Sequence, residues 1–282
     1  MAKQSFYNDS IICKIVQKQK GCQNMHVKDL LSLENKIILV TGGSGNYGKC
    51  IVEGMAEAGG TVIIASRKHD VIQKDSLVFK TKNLDVYAKQ LDQADHGSVM
   101  ELKDWILQTF GRLDVFVNNA VSRPMKNYES PIEDFAESMR VNATGMMDIL
   151  REMGDLITGS GGGSVINISS MMGMFGPDLS NYEGTNMGEP PPDYFFHNAG
   201  LINLTRYLAR LWAGRNIRIN CISPGGLFNN QPALFLENYC KKVPVGRMAN
   251  NDDIKGLVVL LASQAGAYIN GENILMDGGL NA

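Results

Sequence analysis

The segment Thr41-Gly42-Gly43-Ser44-Gly45-Asn46-Tyr47-Gly48 carries glycine at four of eight positions, between an apolar run at 37–40 and an amphipathic stretch through 50–56. A backbone that turns from strand to helix on small residues can approach a phosphate closely. The helix start then offers unpaired N–H groups and a favourable dipole. Gly42, Ser44, Gly45, Asn46, Tyr47 and Gly48 are therefore the candidate cradle for a dinucleotide pyrophosphate. An ordinary strand-to-helix turn uses the same residue types, so this motif alone leaves both readings open. A second apolar run, 61–65, leads into Ser66-Arg67-Lys68, with no carboxylate where one would accept hydrogen bonds from an unmodified adenosine ribose. A guanidinium suits a 2′-phosphate, so Arg67 favours NADP, with NAD as the alternative. A solvated arginine is the plain reading.

These residues need a scaffold, and the hydrophobic pattern supplies one. From Lys36 onward short β-branched runs alternate with longer amphipathic stretches, as in βαβ units with a parallel sheet buried on both faces. The runs lie at 37–40, 61–65, 115–117, 164–168, 217–222 and 274–276, each ending near Gly, Asn, Ser or Asp. The expected fold is α/β: a single-domain Rossmann fold, a doubly wound parallel sheet of about seven strands with helices on both faces and ligands at the strands' carboxyl ends. The expected domain spans residues 34–282. Residues 1–33, polar and rich in Lys and Gln, read as an N-terminal extension; Met25 is an alternative natural start.

Composition narrows the partners. The 282 residues carry a formal charge of −2, from 27 basic and 29 acidic side chains, so no strong field recruits nucleic acid or an anionic membrane surface. No run approaches the roughly 20 apolar residues of a membrane helix. The five cysteines are scattered without a CxxC pair, which fits a reducing, cytoplasmic setting. The four histidines form no ligand set, so no metal is expected. The expected partner is a small molecule.

The glycine turn and several later segments resemble the short-chain dehydrogenase/reductase family, over about residues 25–282. The family pattern TGxxxGxG has glycine where this chain has Asn46; Asn tolerates positive φ, and TGGxGxxG spacing also occurs in relatives. Leu91-Asp92, before a helix expected over about 98–110, resembles the motif whose aspartate meets the adenine, with a helix-start role as the alternative. Asn118-Asn119-Ala120 resembles the turn that lines the adenosine, with Val121 in place of the family's glycine. Ser223-Pro224-Gly225-Gly226-Leu227 resembles the turn beneath the nicotinamide, which brings in Pro224 and Gly225.

The resemblance also implies a catalytic set of Asn, Ser, Tyr and Lys, in which Tyr exchanges the proton, Ser holds the substrate oxygen, and Lys steadies the ribose and favours the phenolate. Asn142, in Arg140-Val141-Asn142-Ala143-Thr144-Gly145, matches the relay asparagine, or else caps a helix. Ser170 matches the serine, with Ser169 as fallback. Tyr182 and Tyr194 are both followed four residues later by Asn where the Tyr-x-x-x-Lys motif has lysine. Gly184, Gly188 and Pro190-Pro191-Pro192 deny Tyr182 a helix, whereas Tyr194 leads into an amphipathic one, so Tyr194 is the expected acid/base. Asn198 then occupies the lysine position without its charge. Oxidation should suffer more than reduction, in which a neutral phenol can donate, and His197 is a candidate second source of charge.

Ser170 and Tyr194 lie 24 positions apart, about twice the gap usual in relatives, so residues 175–193 are expected to overhang the site as an insertion. This insertion, with 203–209 and 222–232, resembles bacterial reductases of surface-sugar and nonulosonate pathways. The expectation is an NAD(P)(H)-dependent alcohol dehydrogenase or ketoreductase acting on a polar, sugar-derived hydroxyl or carbonyl, assembled as a homodimer or homotetramer. The alternative is a catalytically impaired homologue that binds dinucleotide without turning it over.

Overall fold

A computed structural model describes residues 25–282, so most of the expected extension lies outside the described residues. Residues 31–282 form one compact unit; before them the chain makes a helical turn at Val27–Leu31. Leu33, one residue ahead of the expected domain start, is fully buried, and its N–H donates to the Ala58 carbonyl at 2.8 Å.

Seven strands form one parallel sheet: β1 (Ile37–Thr41), β2 (Thr61–Ser66), β3 (Val86–Gln90), β4 (Val115–Asn118), β5 (Gly163–Ile168), β6 (Ile217–Pro224) and β7 (Asn273–Met276). Their spatial order is β3-β2-β1-β4-β5-β6-β7, the doubly wound Rossmann arrangement expected from the sequence. The order reverses between β1 and β4, so the connections that leave these two strands part to opposite sides and open a crevice at their carboxyl ends. Strand β3 is not among the apolar runs of the sequence. It is an edge strand whose Val86-Tyr87-Ala88-Lys89-Gln90 is mostly half-exposed, and so it lacks a continuous apolar signal.

Period-two alternation divides the strand side chains between two cores. Ile38 and Val40 of β1, with Val62 and Ile64 of β2, face α1 (Asn46–Glu57), α2 (His69–Thr81) and α8 (Lys255–Ala262) through Ile51, Val52, Met55, Ile72, Val258 and Leu261. Leu39, Ile63, Phe116 and Val165 face α3 (His96–Phe110), α5 (Met146–Gly159) and α6 (Pro192–Leu211) through Leu102, Ile106, Ile149, Met153, Leu201 and Leu208. Each fully buried side chain of this size contributes about 1.5–3 kcal/mol through lost apolar exposure, which holds the strand ends in fixed register. A short helix α4 (Ile132–Met139) runs through a π turn at Arg140–Gly145 into α5, and α7 (Ala233–Cys240) follows β6. Among the described residues, no helix is long and apolar enough to cross a membrane.

Candidate active site

The glycine turn joins β1 to α1. Gly42 has φ +64°, and a Cβ on Gly48 would stand 2.2 Å from the Gly42 carbonyl oxygen, so this pair closes the turn on itself. Gly45 differs: a Cβ there would meet only that same oxygen, at 3.2 Å, and otherwise points into open space. Gly45 is also the N-cap of α1 and provides no side-chain acceptor, which leaves the first helical N–H groups without a capping partner. Ser44 Oγ and Tyr47 Oη are buried without a hydrogen-bond partner beside them. Burial, with Asp253 nearby, pushes the Tyr47 phenol upward and keeps it protonated. Unpartnered donors beside a space without Cβ atoms fit a phosphate-bearing ligand. Asn46 is the first residue of α1 and does not have positive φ, so its replacement of glycine needs no left-handed tolerance, contrary to the expectation from sequence.

Arg67 and Lys68 follow β2, both exposed, and among the described residues neither forms an ion pair with a carboxylate. Asp92 accepts from the Ala94 N–H at 3.0 Å, but Asp95 caps α3, so the helix-start alternative for Asp92 is set aside. Asn118 is buried and donates to Asn167 Oδ1 at 3.0 Å; Asn167 in turn donates to Thr205 on α6. Its neighbour Asn119 holds the glycine turn, donating to the carbonyls of Thr41 and Gly42, both at 3.0 Å, while the Ala120 N–H donates to Thr41 Oγ1. The sequence motif contains Asn119 without marking it out. Its signal is an amide just past a strand that neighbours β1.

The expected catalytic residues converge from three segments: the end of β5, α6 and the π turn. Ser170 follows β5 and accepts from the Met172 N–H at 3.2 Å, whereas Ser169 spends its hydroxyl proton on the Asn198 carbonyl at 3.1 Å. Tyr194 stands in the first turn of α6, which begins at Pro192, a favoured position for proline. Tyr182 lies beyond a short 3₁₀ turn and packs against Phe235 at 5.2 Å between ring centroids. Asn198 donates its amide to the Tyr194 carbonyl at 2.7 Å. Asn142 sits in the π turn and clasps the loop after β4: Oδ1 accepts from the Ser122 N–H at 2.8 Å, and Nδ2 donates to the Ser122 carbonyl at 2.7 Å. It is not a helix cap. His197 packs edge-on against Tyr194 at 5.4 Å, but burial pulls its pKa down to about 4. It is neutral near pH 7, so the charge expected of His197 is absent.

Residues 175–193 wrap over this end of the sheet. Lys242 Nζ meets Asp178 at 2.6 Å and Asn181 Oδ1 at 2.7 Å, and Asn238 donates to the Glu183 carbonyl. Tyr182 and Met187 pack on a small core of Phe235, Tyr239, Val243 and Met248. The result is a cavity of about 1130 Å³. Gly42, Ser44, Gly45, Asn46, Tyr47, Gly48, Arg67, Asp92, Asn118, Ala120, Asn142, Ser170, Tyr194, Asn198, Pro224 and Gly225 all line it. So does Arg123, which no sequence motif points to.

A family model described as Enoyl-(Acyl carrier protein) reductase matches residues 45–281. A Campylobacter coli protein named post-translational flagellin modification protein A is 30% identical over 254 residues, covering 88% of this chain and 98% of its own. A gluconate 5-dehydrogenase from Burkholderia cenocepacia J2315, solved with NADP and tartrate, superposes with TM-score 0.81 at 25% identity, covering 90% of this chain and 98% of that one. A short-chain dehydrogenase from Leptospira borgpetersenii with bound NAD+ superposes with TM-score 0.81 at 30% identity, covering 93% and 98%. With the doubly wound sheet and the match over most of its length, the chain belongs to the short-chain dehydrogenase/reductase family of NAD(P)-dependent oxidoreductases.

Proposed function

We propose that the protein reduces a polar, sugar-derived carbonyl, or oxidises the matching hydroxyl, with NADP(H) as cofactor and NAD(H) as the alternative. The observation that carries this reading is the cavity shared by the glycine turn and by Asn142, Ser170, Tyr194 and Asn198. The nicotinamide, when bound, supplies or accepts the hydride. The N–H groups at the start of α1, with Ser44 Oγ, would hold the pyrophosphate; Arg67 and Lys68 would meet the 2′-phosphate. Asp92, Asn118 and Ala120 would line the adenosine, and Pro224 and Gly225 the nicotinamide.

Ser170 holds the substrate oxygen with its hydroxyl proton, for which the described residues supply no acceptor. Tyr194 gives its proton to that oxygen as the alcohol forms, and takes it back in the reverse direction. Asn142 fixes the loop after β4. Asn198 stands in the lysine position, and its neutral, back-bonded amide weakens oxidation more than reduction. The same amide favours the second reading, a homologue that binds dinucleotide with little turnover.

The gluconate dehydrogenase neighbour supports a sugar-like substrate. Residues 175–193 form the substrate-side wall of the one domain, which takes in Leu33 ahead of the expected start at 34. Phe196, Tyr207 and Leu211 on α6 are 65%, 59% and 57% exposed, which supports burial against a second copy in a dimer or tetramer. A cytoplasmic setting accords with the described cysteines Cys50, Cys221 and Cys240, none of which is in a disulfide. Fluorescence titration with NADPH and NADH, followed by turnover with a panel of sugar and simple ketones, tests the reading; saturable NADPH binding with turnover supports it, and no binding of either cofactor contradicts it.

A further inference from the structure

We propose that Arg123 is the cation of the proton-transfer site, taking over from across the cavity the charge that Asn198 does not provide. The inference rests on the reading of Tyr194 as the proton-exchanging residue.

Arg123 lies 71 residues from Tyr194 in the chain, yet its Nη2 donates to the Tyr194 hydroxyl at 3.2 Å. Its guanidinium carbon also stands 4.6 Å from the centroid of the Tyr194 ring. The side chain is exposed at the cavity wall, and among the described residues it forms no ion pair with a carboxylate, so its charge is not spent elsewhere. The quadrupole of the ring attracts a cation over its face, which biases a long side chain toward this pose.

The pose has a support. Asn142 clasps both the N–H and the carbonyl of Ser122, the residue directly before Arg123, and Asn142 is itself carried by the π turn. Such turns recur where a side chain must be re-aimed at a functional site. Asn142 is thus a positioning residue for the arginine as well as a wall of the cavity.

The other titratable groups around Tyr194 do not supply the charge. His197 on α6 is neutral, Tyr47 at the start of α1 stays protonated, and Asp193 on α6 has no positive charge to give. When Tyr194 gives its proton to the substrate oxygen, it is left as a phenolate, and the donated N–H of Arg123 stabilises that charge. In the oxidation direction the same contact favours the phenolate that takes the hydroxyl proton.

The test uses the full-length protein and steady-state turnover in both directions with NADP(H). Arg123→Gln should lower kcat by about tenfold or more while leaving NADPH affinity unchanged, and Arg123→Lys, which keeps the charge, should restore most of it. An unchanged kcat in Arg123→Gln overturns the assignment, as does a loss that Arg123→Lys fails to reverse, since shape rather than charge would then be the cause; NADPH binding without turnover in the unaltered protein overturns it too. If Tyr194→Phe retains full NADPH-dependent turnover, the underlying reading of Tyr194 fails, whatever the Arg123 variants show.

Discussion

Asn198 donates its side-chain amide to the main-chain carbonyl of Tyr194, 2.7 Å away and one turn back along the same helix. Where a lysine at this position would extend into the cavity, the asparagine folds onto its own helix and presents no charge. Asn198→Lys should therefore add a cation beside the ribose and phenolate positions, since residue 198 already lines the cavity and a long stem can run along its wall. Because Arg123 already sits on the phenol, we expect only a few-fold rise in the oxidation rate of the otherwise unaltered protein, and about tenfold or more when Asn198→Lys is added to Arg123→Gln. Steady-state rates in both directions check this, and no gain from Asn198→Lys in the Arg123→Gln background speaks against a role for charge at 198.

Two glycines of one turn should respond oppositely. At Gly48 a Cβ would collide with backbone, so Gly48→Ala should cost about 1–3 kcal/mol of stability. At Gly45 the Cβ would enter the open space where a phosphate would lie, so Gly45→Ala should fold normally and lose at least about tenfold in NADPH affinity. Thermal melts and fluorescence titrations of both variants separate the two effects.

The proposed preference for NADP rests on Arg67. Arg67→Glu should weaken NADPH by about tenfold or more through loss of a charge-assisted contact and added repulsion, while leaving NADH unchanged or tighter. Parallel titrations with the two cofactors read the result directly, and equal losses for both would mean that Arg67 does not face the 2′ position.

His197 links this end of the fold to pH. The folded protein holds the imidazole neutral down to about pH 4 because it is buried, whereas the unfolded chain protonates it near pH 6.5. Between these values the unfolded state binds more protons, so this contribution is intact above about pH 6.5 and is lost as pH falls toward 4. The loss should reach about 2 kcal/mol at about pH 5. His197→Phe removes the titration and a buried, unpartnered Nε2, so its stability should fall less on acidification than that of the unaltered protein. Denaturant melts at about pH 7 and pH 5 give the comparison.

The sheet was legible because its strands are buried on both faces: 37–40 and 115–117 read as continuous apolar runs. Strand Val86–Gln90 was not, since an edge position leaves it half-wet. The choice of Tyr194 over Tyr182 followed from local helix breakers alone. Arg123 and Asn119 escaped notice because their partners lie 71 and 77 residues away and no periodicity records such a contact. The state of His197 depends on burial by the surrounding chain, which spacing does not report.

The proposed function requires that Tyr194 exchange a proton in an NAD(P)(H)-dependent reaction. The most direct measurement is NADPH oxidation, followed by absorbance, with a carbonyl substrate from the sugar and simple-ketone panel, comparing the unaltered protein with Tyr194→Phe. We predict turnover in the former and a loss of about 10²–10⁴-fold in the latter, with NADPH affinity retained. Equal turnover in the two proteins, or tight NADPH binding with no turnover in either, would rule out this role for Tyr194.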